Sequence, residues 1–246
     1  MSTELVTYES IDDIAIITLN RADKLNALDV ELGKALRSAL QRFQAGSDKV
    51  GILASSNSRA FSVGADLRNP GEIWSFTPSV GVDVDKPLIA AVDGFVVGGA
   101  VVLVQFCDLC VAAETTVFSY PEAKVGVSGG LISSLAARIP HKIAMEFVLY
   151  ASDLTAQRAY EVGMVNKVVP ADQLMDAAMD YARTLSKHAP MVLSTLKRFV
   201  SEVINKGPSE LGGIARRSTE AILDSQDRVE GIASFKEKRA PKFTGQ

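Results

Sequence analysis

Up to Pro170 the apolar residues fall in short blocks separated by Gly, Asp, Asn and Ser; beyond it they recur at helical spacing. Leu5–Tyr8 and Ile14–Leu19 read as two strands around a turn at Asp12-Asp13. Asp29 stands as N-cap before Leu32, Leu36, Leu40 and Phe43, which recur on one helical face. Val50–Ala54, Leu88–Val92, Leu109–Ala113, Val117–Ser119 and Met164–Val169 read as further strands, and the pattern turns helical from Leu131. Asp172 and Asp227 are expected N-caps, the second in a capping box with Glu230. Strand, glycine-bearing loop and helix follow one another around 50–75, 87–106 and 109–139, a rhythm that suggests stacked ββα-like turns. The segment from Asn69 to Asp85, with the single tryptophan Trp74, fits no element clearly.

The stretch from Pro87 to Asp108 is the centre of the pattern. A buried strand breaks at Asp93-Gly94, and an apolar helix starts at Gly98-Gly99-Ala100. The first N–H groups of a helix have no partner within it and favour an acceptor or an anion. Gly99 has no side chain to cover its N–H, so a ligand oxygen can come close. The same glycines would equally serve to pack a helix tightly on a sheet.

Composition narrows the classes. Of 246 residues, 47% are hydrophobic and 22% charged, as in an ordinary globular protein, and the formal net charge of -3 argues against nucleic acid or an anionic membrane as partner. No apolar run is long enough to span a bilayer, and the opening MSTELVTYES lacks the basic-then-apolar pattern of a secretory signal. With only two cysteines, the expected compartment is the cytoplasm. Cys107 and Cys110 form a C-x-x-C, but Cys107 falls at a helix C-terminus, where the dipole disfavours a thiolate, so core packing is the expected role. His141 and His188 sit at helix boundaries, which leaves no histidine-based triad or metal site, and no P-loop or dinucleotide fingerprint occurs.

What remains is a constellation of backbone and one carboxylate. Gly64-Ala65 and Gly98-Gly99 are two places where N–H groups can be exposed, and Glu122 follows Pro121 in a loop with little other charge than Lys124. Two N–H groups converging on a carbonyl oxygen would stabilise an enolate, and a carboxylate beside them could move a proton at the neighbouring carbon. Taken alone, Glu122 reads more readily as a solvated loop residue than as a catalytic one.

Asn20-Arg21…Lys24-Leu25-Asn26-Ala27-Leu28, Ala60-Phe61-Ser62-Val63-Gly64-Ala65-Asp66, Ile89-Ala90-Ala91-Val92-Asp93-Gly94…Gly98-Gly99 and Pro121-Glu122-Ala123…Gly126 resemble, in order and spacing, the successive motifs of the crotonase superfamily, the enoyl-CoA hydratase/isomerase family. The C-terminal Phe235-Lys236-Glu237-Lys238-Arg239 is similar to that family's end, so the likeness spans essentially the whole chain. It implies an α/β fold, a crotonase-like spiral of stacked ββα units over residues 1–189, with a helical C-terminal trimerisation region over 190–246. It implies an acyl-CoA thioester as substrate, with coenzyme A part of that substrate and no separate cofactor or metal, and a homotrimer or dimer of trimers.

The resemblance puts the oxyanion hole on the N–H groups of Ala65 and Gly99 and the acid/base on Glu122. It puts Lys24, Leu25 and Ala27, with Ser62, Val63, Gly64, Asp66 and Leu67, along the CoA site, and counts Gly98 and Val102 among the substrate-binding residues, Val102 facing the active site. Lys238, with Phe235, is expected near the CoA of a neighbouring subunit.

One departure carries information. Hydratases of the family commonly hold a water between two glutamates; the second matches Glu122, but the position of the first is Val102. One base and an oxyanion hole suffice to move a double bond, so the pattern favours an enoyl-CoA isomerase. A hydratase working with one glutamate and a catalytically silent acyl-CoA binder are the alternatives.

Overall fold

The computed structural model describes residues 4–246. β1 (Val6–Ile11) and β2 (Ile14–Leu19) pair antiparallel across Asp12-Asp13, both with positive φ (52° and 63°), the backbone a tight hairpin turn demands. α1 (Val30–Ala45) starts where expected: the Asp29 carboxylate accepts the Leu32 N–H at 2.8 Å. β3 (Val50–Ser55) and β4 (Ala60–Ser62) follow, then β5 (Leu88–Val92), β6 (Phe95–Val97) and α2 (Gly99–Gln105). The next unit is β7 (Leu109–Ala113), β8 (Val117–Ser119) and the short α3 (Glu122–Val125). Beyond it come α4 (His141–Met145), β9 (Leu154–Thr155), α5 (Ala156–Glu161), β10 (Lys167–Val169) and α6 (Leu174–Ser186). α7 (Pro190–Val203), α8 (Pro208–Leu223) and α9 (Gln226–Glu237) close the chain.

The pairs β3/β4, β5/β6 and β7/β8 each send their first strand to a six-stranded sheet, ordered β1-β2-β3-β5-β7-β10, and their second to a four-stranded sheet, ordered β4-β6-β8-β9. Within the spiral β3, β5, β7 and β10 run parallel, with Ile52 opposite Ile89 and Ala90 opposite Cys110. The centre of the large sheet is covered on both faces, which is why β3, β5 and β7 are buried almost throughout rather than alternating. One face carries Ile52, Ile89, Ala91 and Val111 against Ala177, Ala178 and Ala182 of α6. The other carries Leu53, Ala90, Val92, Cys110 and Ala112 into the main core with α1 and α2. Every residue of α2 is buried, as a helix apolar all round requires.

Some expected boundaries move. The Met164–Val169 strand shrinks to β10, and the helix from Leu131 breaks into a 3₁₀ segment (131–137), α4 and a π turn (146–150). Asp172 lies inside a 3₁₀ turn rather than at a cap. Asp227 is not an N-cap either: Ser225 caps α9 by accepting the Arg228 N–H, while the Asp227 carboxylate accepts the N–H groups of Thr244 and Gly245 in the returning tail. The unassigned segment after Asn69 contains a 3₁₀ turn, Ile73–Phe76, packed between α1 and α8. Among the described residues no helix is long and apolar enough to cross a membrane.

Candidate active site

The site forms where three loops meet at the start of α2. The first is Asn20–Leu28. Leu25 and Asn26 both adopt positive φ (50° and 53°), a costly pair that fully buried Asn26 offsets with its amide. The Asn26 side chain accepts the Arg21 N–H (2.8 Å) and donates to Ser55 Oγ (2.8 Å) and the Phe61 carbonyl (3.0 Å). Arg21 then spreads its guanidinium over the Ala27 carbonyl (2.9 Å), Asp66 (2.9 Å) and Asp29 (3.0 Å), which ties this loop to the second.

The second loop runs from Ser62 to Leu67. Leu28 donates to the Gly64 carbonyl at 2.7 Å and accepts the Asp66 N–H at 3.1 Å, a single parallel bridge. Backbone groups alternate along an extended chain, so the Ala65 N–H points away from Leu28. Gly64 has φ 83°; a β-carbon there would lie 2.6 Å from the Val97 carbonyl oxygen and 3.4 Å from the Gly99 nitrogen. Only glycine lets the two backbones approach this closely.

The third is the Val97–Gly99 corner. Gly98, at φ 53°, donates its N–H to the Ser119 carbonyl (2.9 Å) and turns β6 into α2. Gly99 is confined too, since a β-carbon would meet Ile73 Cδ1 at 2.8 Å and Leu28 Cδ1 at 3.4 Å. Among the described residues neither the Ala65 N–H nor the Gly99 N–H has an acceptor. The loop that carries one free donor thus packs against the backbone that carries the other.

Glu122 opens α3 beside this corner. A β-carbon on Gly98 would sit 3.9 Å from its Oε1, and its Oε2 accepts the Gly129 N–H at 3.2 Å. Tyr120, directly after β8, is 3% exposed, with its ring near that of Phe147. Burial first, then hydrogen bonding to and the charge of Glu122, raise its phenol well above the ordinary 10.0, against an opposing contribution from Ser128. The phenol therefore stays protonated and available as a donor.

The other expected site residues divide. Lys24 is exposed, Leu25, Ala27 and Val63 are half-buried on the loop wall, and Leu67 stands out at the rim, 77% exposed. Ser62 is fully buried; its hydroxyl donates to the Asn26 carbonyl (2.7 Å) and accepts the Gly64 N–H (3.2 Å), so it braces the site from behind rather than lining it. The Asp66 carboxyl is held below its usual range first by the Arg21 hydrogen bond, then by the Arg68 N–H, and is committed to that pairing. Val102 is 3% exposed, one turn into α2 from Gly99. Lys238 is not brought to the site within one chain: it closes α9, which packs against α8. Sequence reasoning missed Tyr120 and Ile73; adjacency to Pro121-Glu122 was the only signal for the first, and the second lay in the segment without a pattern.

An α/β spiral of stacked ββα units with free N–H groups and a lone carboxylate at its central helix defines a class of protein, and solved structures of that class superpose on it. Carnitinyl-CoA hydratase from Mycobacterium avium shares 29% identity with a TM-score of 0.78, covering 100% of both chains. Enoyl-CoA hydratase from Mycobacterium tuberculosis H37Rv shares 31% with a TM-score of 0.77, covering 99% of this chain and 100% of the other. Carnitinyl-CoA dehydratase from Salmonella typhi is 33% identical over 250 residues, 94% of each chain. A sequence model described as enoyl-CoA hydratase/isomerase matches residues 9–246. The chain belongs to the enoyl-CoA hydratase/isomerase family and is an acyl-CoA enzyme of the crotonase fold.

Proposed function

We propose that this enzyme shifts the double bond of a 3-enoyl-CoA to the 2-position. Glu122 removes a proton from C2, and the thioester oxygen of the resulting dienolate accepts the N–H groups of Ala65 and Gly99. The proton then returns from Glu122 to C4, and no water enters the balance. The observation that carries this reading is a single carboxylate, Glu122, whose Oε1 lies against the Gly98-Gly99 corner, while apolar Val102 occupies the next turn of α2.

Hydration asks for more. A water must be held, deprotonated at oxygen and made to deliver a proton to carbon, and one carboxylate beside a valine holds it poorly. The names of the relatives, hydratases and dehydratases, favour a second reading: a hydratase that works with Glu122 alone. Along the rim, Lys24, Leu25, Ala27, Val63 and Leu67 are available to coenzyme A, and residues 190–246 form the oligomerising region of a homotrimer or dimer of trimers. Assaying 2-enoyl- and 3-enoyl-CoA esters of several chain lengths, with product identification, decides between the readings. Faster turnover of the 3-enoyl esters is expected. Full-speed hydration of a 2-enoyl ester overturns the isomerase, and no turnover of any ester leaves an acyl-CoA binder.

A further inference from the structure

The backbone holds the Glu122 carboxylate at one point, where the Gly129 N–H donates to Oε2 at 3.2 Å. Residues 123–129 are exposed, so this donor is only as steady as the segment that follows it. Steadiness matters, because a base that wanders from the near-attack geometry forfeits much of its effect.

The segment that follows interlocks with the start of α8. Gly130, at φ 75°, passes so close that a β-carbon there would collide with the Ser209 hydroxyl, and a β-carbon on Gly207 would collide with the Ser133 hydroxyl. Ser133 donates its N–H to the Gly130 carbonyl at 3.1 Å. One residue on in each segment, the buried Ser134 hydroxyl donates to the buried Glu210 carboxylate at 2.5 Å. The Gln105 amide of α2 donates to the Leu131 carbonyl at 3.3 Å, and Arg138 donates to the Ser134 carbonyl at 2.8 Å.

α8 is itself anchored elsewhere. Gly213 packs on Val80 and Trp74, and Glu220 pairs with Arg37 of α1 at 2.8 Å. Glu210 stands in the first turn of α8, where the helix dipole favours its charge. It has no part in the proposed reaction, and an apolar side chain would be buried here at less cost. What the carboxylate adds is one defined register of the 130–134 backbone on α8.

We propose that Glu210 is a positioning residue: by holding Ser134 on α8 it fixes the segment that begins at Gly129, and so the N–H that aims the Glu122 carboxylate. The inference rests on Glu122 being the base, and two readouts separate the two. Backbone amide exchange over residues 126–135, followed by mass spectrometry, reports the tie without reference to the reaction. Exchange of the C2 protons of butyryl-CoA in D₂O, in which Glu122 takes a proton and returns a deuteron, reports the base whichever product the enzyme makes.

Glu210→Ala removes the acceptor. It is expected to speed amide exchange over 126–135 about 10-fold while α1 exchanges as before, to lower kcat for C2 exchange about 10-fold, and to leave KM within about 3-fold. Glu210→Gln keeps an acceptor for the Ser134 hydroxyl and is expected to stay near wild type in both readouts. Ser134→Ala, which removes only the donor, is expected to reproduce the loss and serves where Glu210→Ala does not fold. In a Glu122→Gln background neither substitution is expected to cost anything further. Wild-type kcat in a folded Glu210→Ala or Ser134→Ala, a full loss in Glu210→Gln, or amide exchange that quickens over the whole chain overturns the positioning role. Wild-type-like C2 exchange by Glu122→Gln alone overturns the base, and with it this inference.

Discussion

The backbone nitrogen of Gly99 lies 3.4 Å from the place a β-carbon on Gly64 would occupy, so two loops 35 residues apart in sequence (64 to 99) meet at distances only glycine permits. That approach sets the loop that carries Ala65 against Gly99, two residues whose N–H groups have no acceptor among the described residues, and it makes the junction intolerant of side chains.

Gly99→Val is the direct probe. Its β-carbon would meet Ile73 Cδ1 at 2.8 Å and its branches would crowd the nitrogen beside them. Overpacking of this kind costs about 1–3 kcal/mol. Losing one oxyanion donor costs about 10²–10³ in kcat. Chemical denaturation together with turnover should show both losses; a stable, fully active Gly99→Val would place the oxygen-binding groups elsewhere.

Asn26 ties the first loop to the rest of the site. Asn26→Ala leaves the buried Phe61 carbonyl and the Arg21 N–H without their partner, and is expected to destabilise the fold by about 2–4 kcal/mol. Thermal unfolding measures it, and a shift of less than about a degree would mean the loop is held by Arg21 alone.

The two cysteines are expected to be inert in the native protein. Burial raises both thiols, Cys110 from 9.0 to about 12, with Asp108 and Cys110 adding to the rise at Cys107. Each is protonated, and so unreactive, at pH 8. The sign for stability follows: the unfolded chain loses its thiol protons near pH 9 while the folded one keeps them, so stability is full below pH 9 and falls as pH rises toward 12. Thiol titration with Ellman's reagent should find no reactive group before denaturation and two after it; rapid native reaction would contradict the burial of Cys110 or the raised thiol of half-buried Cys107.

Much of this was legible in the residues. The turn at Asp12-Asp13, the Asp29 cap, the blocks Leu88–Val92 and Leu109–Ala113 and the glycine corner are set by local chemistry, so the sequence shows them. β4 and β6 escaped although β8, equally short, was legible, because they are held by pairing along the small sheet rather than by a local pattern of their own. Asp227 misled for a related reason: a local capping pattern lost to partners in the tail, nearly twenty residues on. Ser62 looked like a lining residue because it sits among lining residues; which way it faces is fixed by Asn26, which the sequence does not place.

The C-terminal helices predict assembly. Met191, Leu196, Phe199 and Val203 of α7 are exposed, as is Phe235 of α9 at 85%, far more apolar surface than a monomer usually leaves open. A homotrimer or dimer of trimers is expected, three or six times the 26.3 kDa of the chain. Sedimentation equilibrium at micromolar concentration checks it, and a stable monomer would count against it.

Val102 gives the sharpest test of the reaction. It lies one turn beyond Gly99 on α2, buried among apolar neighbours. A missing acid/base group is worth about 10²–10⁴ in rate, so hydration of a 2-enoyl-CoA should be slower by that order, roughly 3–5 kcal/mol of barrier, while isomerisation is unaffected. Val102→Glu should then raise hydration. The gain has a limit, because a carboxylate set against apolar side chains is driven toward its neutral form or destabilises the helix that carries it. Unfolding of the variant is therefore measured first, and the two activities are compared in both proteins afterwards. A folded Val102→Glu that hydrates no faster than wild type would show that α2 does not turn this position toward the substrate. Hydration at full speed by the wild type would show that another group positions the water.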